Sequence, residues 1–168
     1  MNVVEQACER ADAMMDAGAS RLEILTCLVS AAEIVAAPGA VSSILVLDED
    51  GLLRNGASPN LPSDYLHAID RLKPDAGVGT CAAAAATGCV VITPDFRADG
   101  KWAELRHLPL ALGYLAAWSM PIRSANGAVL GTLGTYYTNL RQPTAVELDS
   151  IALLAAAAGR ALDRRYNA

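Results

Sequence analysis

The chain has 168 residues, of which 53% are hydrophobic and 18% are charged, and its formal net charge at pH 7 is −5. This length suits one domain with a full hydrophobic core, and the apolar content argues against intrinsic disorder. The acidic balance argues against a nucleic-acid partner, which would need a basic surface.

Two helices are predicted at the N-terminus. Residues Val3–Asp16 place apolar side chains on one stripe at helical spacing. Ser20 followed by Glu23 is the pattern of a capping box, in which the two side chains satisfy free N–H groups at a helix start. The second helix is therefore predicted from Ser20 to about Ala37, before a Pro-Gly pair.

Two β-hairpins follow, separated by a helix-rich middle. The first pairs Val41–Leu47 with Leu52–Ala57 across an Asp-Gly turn. The second pairs Leu115–Ile122 with Ala128–Tyr137 across an Asn-Gly turn, the strongest hairpin signal in the chain. Val90–Ile92 is predicted as a short strand between them.

The middle of the chain contains short helices and turns. Ser63 caps a short helix, and the segment Lys73–Gly79 is too rich in turn residues to be a strand. Thr80 as N-cap and Gly88 after the last turn bracket a helix of barely two turns. Residues 95–113 are predicted to be irregular or short-helical.

The last helix begins at a second capping-box pattern, Thr144 with Glu147, and runs close to the C-terminus. Its end carries Arg160, Arg164 and Arg165, which we expect to form a solvated terminus favoured by the helix dipole. Short antiparallel strands flanked by helices predict an α+β fold in one domain.

The order of these motifs resembles that of a GAF domain from a bacterial signal-transduction protein. The resemblance covers about Ser20 to Leu162, nearly the whole chain. It rests on the segments Gly77-Val78-Gly79-Thr80-Cys81, Ala84-Ala85-x-Thr87-Gly88, Ile92-x-x-Asp95, Trp102, Gly113, Trp118-Ser119-x-Pro121-Ile122, Gly127-x-Val129-Leu130-Gly131-Thr132, Tyr136-Tyr137 and Arg141-x-Pro143-Thr144-x-x-Glu147.

The resemblance implies a single domain over residues 1–168, with its core at about 20–162 and an N-terminal helix at 3–16. It implies a PAS-related central six-stranded antiparallel sheet, with the terminal helices on one face and a ligand pocket on the other. Dimerisation through those helices is also implied.

Three positions depart from the family pattern. Ala82 stands where a glycine often follows the cysteine, and Cys89 replaces a common proline. Gly100-Lys101 precede Trp102 where a proline is frequent. The departures leave the expected fold intact and the identity of the ligand open.

The candidate ligand-binding residues are Gly79, Thr80, Cys81, Asp95, Trp102, Trp118 and Ser119. The helix start at Thr80 offers free N–H groups to an anion or a carbonyl, although the glycines before it also suit a sharp entry into the helix. Asp95 could bind a ligand or cap the turn after its strand. The two tryptophans could line the pocket or fill the core, and Ser119 contributes only if its strand points it inward.

A thiol oxidoreductase is the alternative function. Cys81 lies in the first turn of the short helix, where a thiolate is stabilised, and Cys89 lies at the other end. Free methionine sulfoxide reductases share the GAF fold and use several pocket cysteines, whereas this region offers only these two. A third interpretation is a degenerate GAF domain that serves only as a dimer module, with its pocket filled by its own aromatic side chains.

Other binding motifs lack support. The glycines at 77 and 79 fit a dinucleotide fingerprint loosely, but no hydrophobic strand precedes them. His67 and His107 lie in separate segments without metal-type or cysteine partners, so neither a metal nor a haem or bilin site is predicted.

We therefore predict a sensory domain rather than an enzyme, which binds a small molecule whose identity, like that of any cofactor, the sequence does not specify. We expect a homodimer and an output partner in trans, such as a histidine kinase. No apolar run reaches the roughly 20 residues that span a bilayer, and the N-terminus lacks the cationic flank of a signal peptide. A cytoplasmic protein without a membrane partner is expected.

Overall fold

A computed structural model of the protein describes the backbone of residues 1–164 and the side chains of residues 1–163. Arg165, from the predicted basic terminus, lies outside the described residues. The helices are α1 (Val3–Asp16), α2 (Arg21–Val35), α3 (Ser63–Ala68), α4 (Cys81–Thr87), α5 (His107–Ala111) and α6 (Ala145–Arg164), with a 3₁₀ turn at Gly100–Trp102. The strands are β1 (Val41–Leu47), β2 (Leu53–Ala57), β3 (Val91–Thr93), β4 (Ala116–Arg123) and β5 (Val129–Tyr137).

The strands form one antiparallel sheet in the order β2-β1-β5-β4-β3. The predicted α+β fold and both hairpins are confirmed, but the described sheet has five strands rather than six. Leu72 makes a single bridge to Leu53 beside β2. The chain does not continue as a strand there, because Arg71 has a φ of 65° and Pro74 lacks an N–H to donate.

Helices α1, α2 and α6, called here the terminal helices, pack together on one face of the sheet. Alternation along the strands divides the core into two clusters. In β1, Ile44 and Val46 face the terminal helices, whereas Leu45 faces the side that carries α3 and α4. The predicted placement of the terminal helices is confirmed.

Caps define where the long helices begin. The predicted capping box of Ser20 and Glu23 is present at α2, and a second box, of Asn2 and Glu5, opens α1. At α6, Thr144 Oγ1 accepts a hydrogen bond from the Glu147 N–H, at 3.1 Å. The Glu147 carboxylate does not complete that box, because it accepts hydrogen bonds from Arg141 and Tyr137 instead.

Within residues 1–164, no helix combines the length and the apolar composition that crossing a membrane requires.

Candidate functional site

The start of α4 is buried against the sheet. Gly79 enters the helix with a φ of 59°, and its N–H donates to the Lys101 carbonyl, at 2.8 Å. Thr80 occupies the predicted N-cap position, but among residues 1–164 its side chain makes no capping hydrogen bond. Only 1% of Thr80 is exposed. The helix therefore begins inside the fold rather than at an open surface.

Cys81 and Ser119 face each other between α4 and β4. The Ser119 hydroxyl donates to Cys81 Sγ, at 3.5 Å, which places Ser119 on the same side of the sheet as α4. Burial raises the pKa of the Cys81 thiol, and nearby hydroxyls of Ser119, Thr132 and Thr80 offset only part of this effect. The thiol is thus neutral at physiological pH.

Five aromatic residues pack beside α4 and form what we call the aromatic cluster: Tyr65, Phe96, Trp102, Tyr114 and Tyr136. The rings of Phe96 and Trp102 meet edge to face with centroids 4.5 Å apart, and those of Tyr65 and Tyr136 do so at 5.7 Å. The hydroxyls of Tyr65 and Tyr136 lie 2.6 Å apart and share a hydrogen bond. Burial raises the pKa of both phenols.

The indole N–H of Trp102 is the unusual group in this cluster. Trp102 is 4% exposed, and no described residue accepts a hydrogen bond from its Nε1. A Cβ added at Gly79 would lie 3.7 Å from the indole ring, so the loop before α4 covers this edge. A buried donor without a partner costs about 1–3 kcal/mol, so the Trp102 indole carries an energetic cost that the described residues do not relieve.

Asp95 acts within its own turn. Its Oδ1 accepts hydrogen bonds from the Arg97 N–H, at 2.9 Å, and from Arg97 Nε, at 3.0 Å. These bonds, with the side-chain bond the larger contribution, lower the pKa of Asp95. The observed geometry matches the capping alternative.

Asp99, rather than Asp95, ties the segment after β3 to the sheet. We call residues 94–113 the lid segment. Asp99 accepts hydrogen bonds from the Thr93 hydroxyl, at 2.6 Å, and from Lys101 Nζ, at 2.8 Å. These contacts hold the 3₁₀ turn that carries Trp102. The sequence offered no motif that distinguished Asp99 from Asp95.

Trp118 lies on the opposite face of the sheet from the other candidates. It packs among residues beneath the terminal helices, where its Nε1 donates to the Tyr137 hydroxyl, at 2.6 Å. Its neighbours Ala117 and Ser119 point to the α4 side. The structure therefore brings Gly79, Thr80, Cys81, Trp102 and Ser119 around α4, leaves Asp95 in its turn, and separates Trp118 from them.

The two cysteines of the alternative hypothesis are held apart by α4. Its seven residues span about 10 Å, whereas disulfide formation needs Cα atoms within about 7 Å. Cys81 is buried at one end, and Cys89 is exposed beyond the other. Across the described part of the chain, no group of three His, Cys, Asp or Glu side chains is arranged to hold a metal ion.

A sequence model of the GAF domain family matches residues 19–163. A curated relative, the methyl sulfide methyltransferase-associated sensor of Methanosarcina acetivorans, is 36% identical over 147 residues. That match covers 87% of this chain and 15% of the relative, so the chain spans about 15% of the relative's length.

Solved structures share the fold at low identity. Free methionine-R-sulfoxide reductase from Neisseria meningitidis, in complex with its substrate, superposes with a TM-score of 0.75 at 16% identity, covering 98% of this chain and 89% of that one. A domain of a Sinorhizobium meliloti protein described as a two-component sensor histidine kinase gives 0.70 at 20% identity, covering 84% and 90%. These likenesses show the fold alone.

The antiparallel sheet, the terminal helices on one face and the short buried helix on the other agree with the family match over residues 19–163. The chain belongs to the GAF domain family.

Proposed function

We propose that this GAF domain is a sensor that binds a small molecule at the aromatic cluster. The observation that carries the proposal is the Trp102 N–H, which is buried without an acceptor among the described residues. A ligand oxygen or nitrogen placed there would relieve that cost. The neighbouring rings would supply apolar contact surface for the rest of the ligand.

The packed rings also fit the third interpretation, a dimer module whose pocket is filled by its own aromatic side chains. In the proposal made here, the packed cluster is instead the ligand-free state. Gly79 N–H donates to the Lys101 carbonyl, and this bond closes the loop before α4 onto the lid segment. Ligand entry would require this contact to open and the rings to shift. Binding then favours an arrangement in which α4 and the lid segment sit differently, which is a population shift.

The terminal helices are proposed as the output surface. Leu22 and Ile34 on α2 are 60% and 66% exposed, and Val3 on α1 borders the same groove. Exposed apolar side chains grouped along one groove are typical of an interaction site. They support a homodimer formed through this face, and we propose that the paired helices pass the signal to an output region or protein.

A non-catalytic role is part of the proposal. The raised pKa of Cys81 leaves its thiol protonated, and α4 separates it from Cys89. A redox cycle between these two thiols would need α4 to unwind. The reductase alternative therefore has less support from the geometry than ligand binding without chemistry.

The test is a thermal-shift screen of metabolites, followed by affinity measurements on W102F. A ligand present at 100 times its Kd stabilises the fold by about 2.7 kcal/mol. W102F keeps an aromatic ring at this position but removes the N–H together with the second ring of the indole, so ligand affinity should fall at least about tenfold, the loss expected for one hydrogen bond. W118F is the matched control and should bind normally. Equal affinity in wild type and W102F would refute the proposed contact.

A further inference from the structure

Arg123, the last residue of β4, contacts two separate parts of the backbone through its guanidinium. Its Nη2 donates to the carbonyl of Gly88, the residue that ends α4. Its Nη1 donates to the carbonyl of Gly127 in the β4–β5 turn, at 2.7 Å. One side chain therefore joins the end of α4 to the turn of the second hairpin.

Two glycines allow this arrangement. Gly88 has a φ of 68°, and a Cβ built on it would lie 2.6 Å from Arg123 Nη2. Gly159, on α6, faces the backbone carbonyl of Arg123, and a Cβ there would overlap that oxygen. The end of α4 and the C-terminal part of α6 both meet Arg123 without a side chain between them.

The β4–β5 turn is also attached to α6. The Ala125 N–H donates to Asp163 Oδ2, at 3.1 Å. The pairing of β4 with β5 shifts register between Ile122 and Arg123, so this residue sits at an irregularity in the strand. A displacement of Gly88 would therefore press on Arg123 and, through the turn and Gly159, on α6.

We propose that Arg123 couples α4 to α6, so that a movement of α4 reaches the terminal helices through this residue. The inference rests on the proposed function, because α4 begins at the residues beside the aromatic cluster. A signal from the candidate site would thus leave α4 at its carboxyl end and reach the output surface through the Arg123 side chain.

A second contact joins α4 to the sheet at its other end, where Ser119 meets Cys81. The test must therefore perturb the carboxyl end of α4. Ala86 is exposed in the last turn of α4, and Ala68 is exposed at the end of α3, away from Arg123. A86G loosens α4, and A68G is the matched control.

The measurement is amide hydrogen exchange, without any ligand, at residues 159–163 and at Ala125, relative to buried amides of β1. In the Arg123 background, A86G should speed this exchange by up to about fivefold, the full effect of one Ala-to-Gly change in a helix. A68G should leave it unchanged. In the R123Q background, A86G should have no effect on exchange in α6. R54Q, at another exposed arginine, is the control background, and there A86G should still speed this exchange.

No effect of A86G on α6, or an effect that persists in R123Q, would overturn the coupling. If R123Q does not fold, R123K replaces it under the same criterion, because a single ammonium lacks the fork that spans both carbonyls. Since no ligand is used, this result is separate from the proposed function. A protein that binds nothing could still show the coupling, and a ligand-binding protein could lack it.

Discussion

Cys81 and Cys89 lie eight residues apart in sequence and in opposite environments. Cys81 is buried and its thiol pKa is raised, whereas Cys89 is exposed. Alkylation requires an accessible thiolate, so iodoacetamide at neutral pH should modify Cys89 more than about tenfold faster than Cys81. Mass spectrometry of peptides over time measures both rates, with C89S as a control for site assignment. Comparable rates at the two cysteines would favour the reductase alternative.

Protonation of Asp99 at low pH is expected to weaken the contacts that hold the lid segment. Burial alone would raise its pKa, but hydrogen bonds from Lys101 and Thr93 outweigh this effect and hold the pKa below its ordinary value. A lowered carboxyl pKa contributes stability that is present above the unfolded-state value of about 3.9 and is lost as pH falls through the folded value. D99N should therefore lose stability relative to wild type at pH 6, and the difference should shrink below about pH 4.

Urea unfolding of both proteins between pH 6 and pH 2.5 measures this difference. A difference in unfolding free energy between wild type and D99N that stays constant from pH 6 to pH 2.5 would show that the ionised Asp99 adds no stability.

Single residues show where sequence reasoning succeeds and where it stops. A sharp entry into α4 was one of two alternatives for the glycines before Thr80, and the φ of Gly79, which favours glycine, agrees with it. The sequence does not show on which face of the sheet Trp118 lies, because residues on both faces of β4 are buried and no alternation of polar and apolar residues remains. The aromatic cluster was also hidden, since its members come from separate segments.

At the scale of elements, the close approach of α6 to β4 gives a test with an unusual sign. A Gly-to-Ala change inside a helix normally stabilises it by about 0.5–1 kcal/mol. At Gly159 the added methyl would overlap the Arg123 carbonyl, so G159A should instead destabilise the fold by about 1–3 kcal/mol. Chemical denaturation measures the change. A stabilised G159A would show that α6 and β4 are farther apart than described.

Short sequence motifs were enough to predict where most helices and strands begin and end, to within a few residues. The Ser20–Glu23 box and the Asn-Gly turn each act over a few residues, so their patterns are visible in the sequence. The missing sixth strand was not predictable in this way. It depends on the backbone of Arg71 and on a single bridge between Leu72 and Leu53, which are tertiary features.

At the scale of the whole molecule, the exposed apolar residues of the terminal helices lead to a prediction about the oligomeric state. The exposed Leu22 and Ile34 would be covered in the proposed homodimer, so light scattering at micromolar concentrations should give twice the monomer mass. The double variant L22D/I34D should be monomeric, because a dimer would bury its carboxylates. L140D, at an exposed apolar residue between β5 and α6 and outside the terminal helices, is the control and should remain dimeric. A monomeric wild type would contradict this assignment.

The order of motifs along the chain was sufficient to predict the family, because a GAF domain is specified by many short segments in sequence. The ligand is a different matter. The site proposed for it lies between α4, the lid segment and the sheet, and fold alone does not set what such a site binds. The physical clue, a Trp102 N–H without an acceptor among the described residues, is visible only when these parts are packed together.

The most direct test is the ¹H–¹⁵N spectrum of the two tryptophan side chains, assigned with W118F. Trp118 already donates to Tyr137, whereas Trp102 has no acceptor within the described chain. A metabolite that stabilises the protein in the thermal screen should move the Trp102 indole proton to lower field and leave that of Trp118 in place. A stabilising metabolite that leaves the Trp102 signal unchanged would contradict binding at the aromatic cluster.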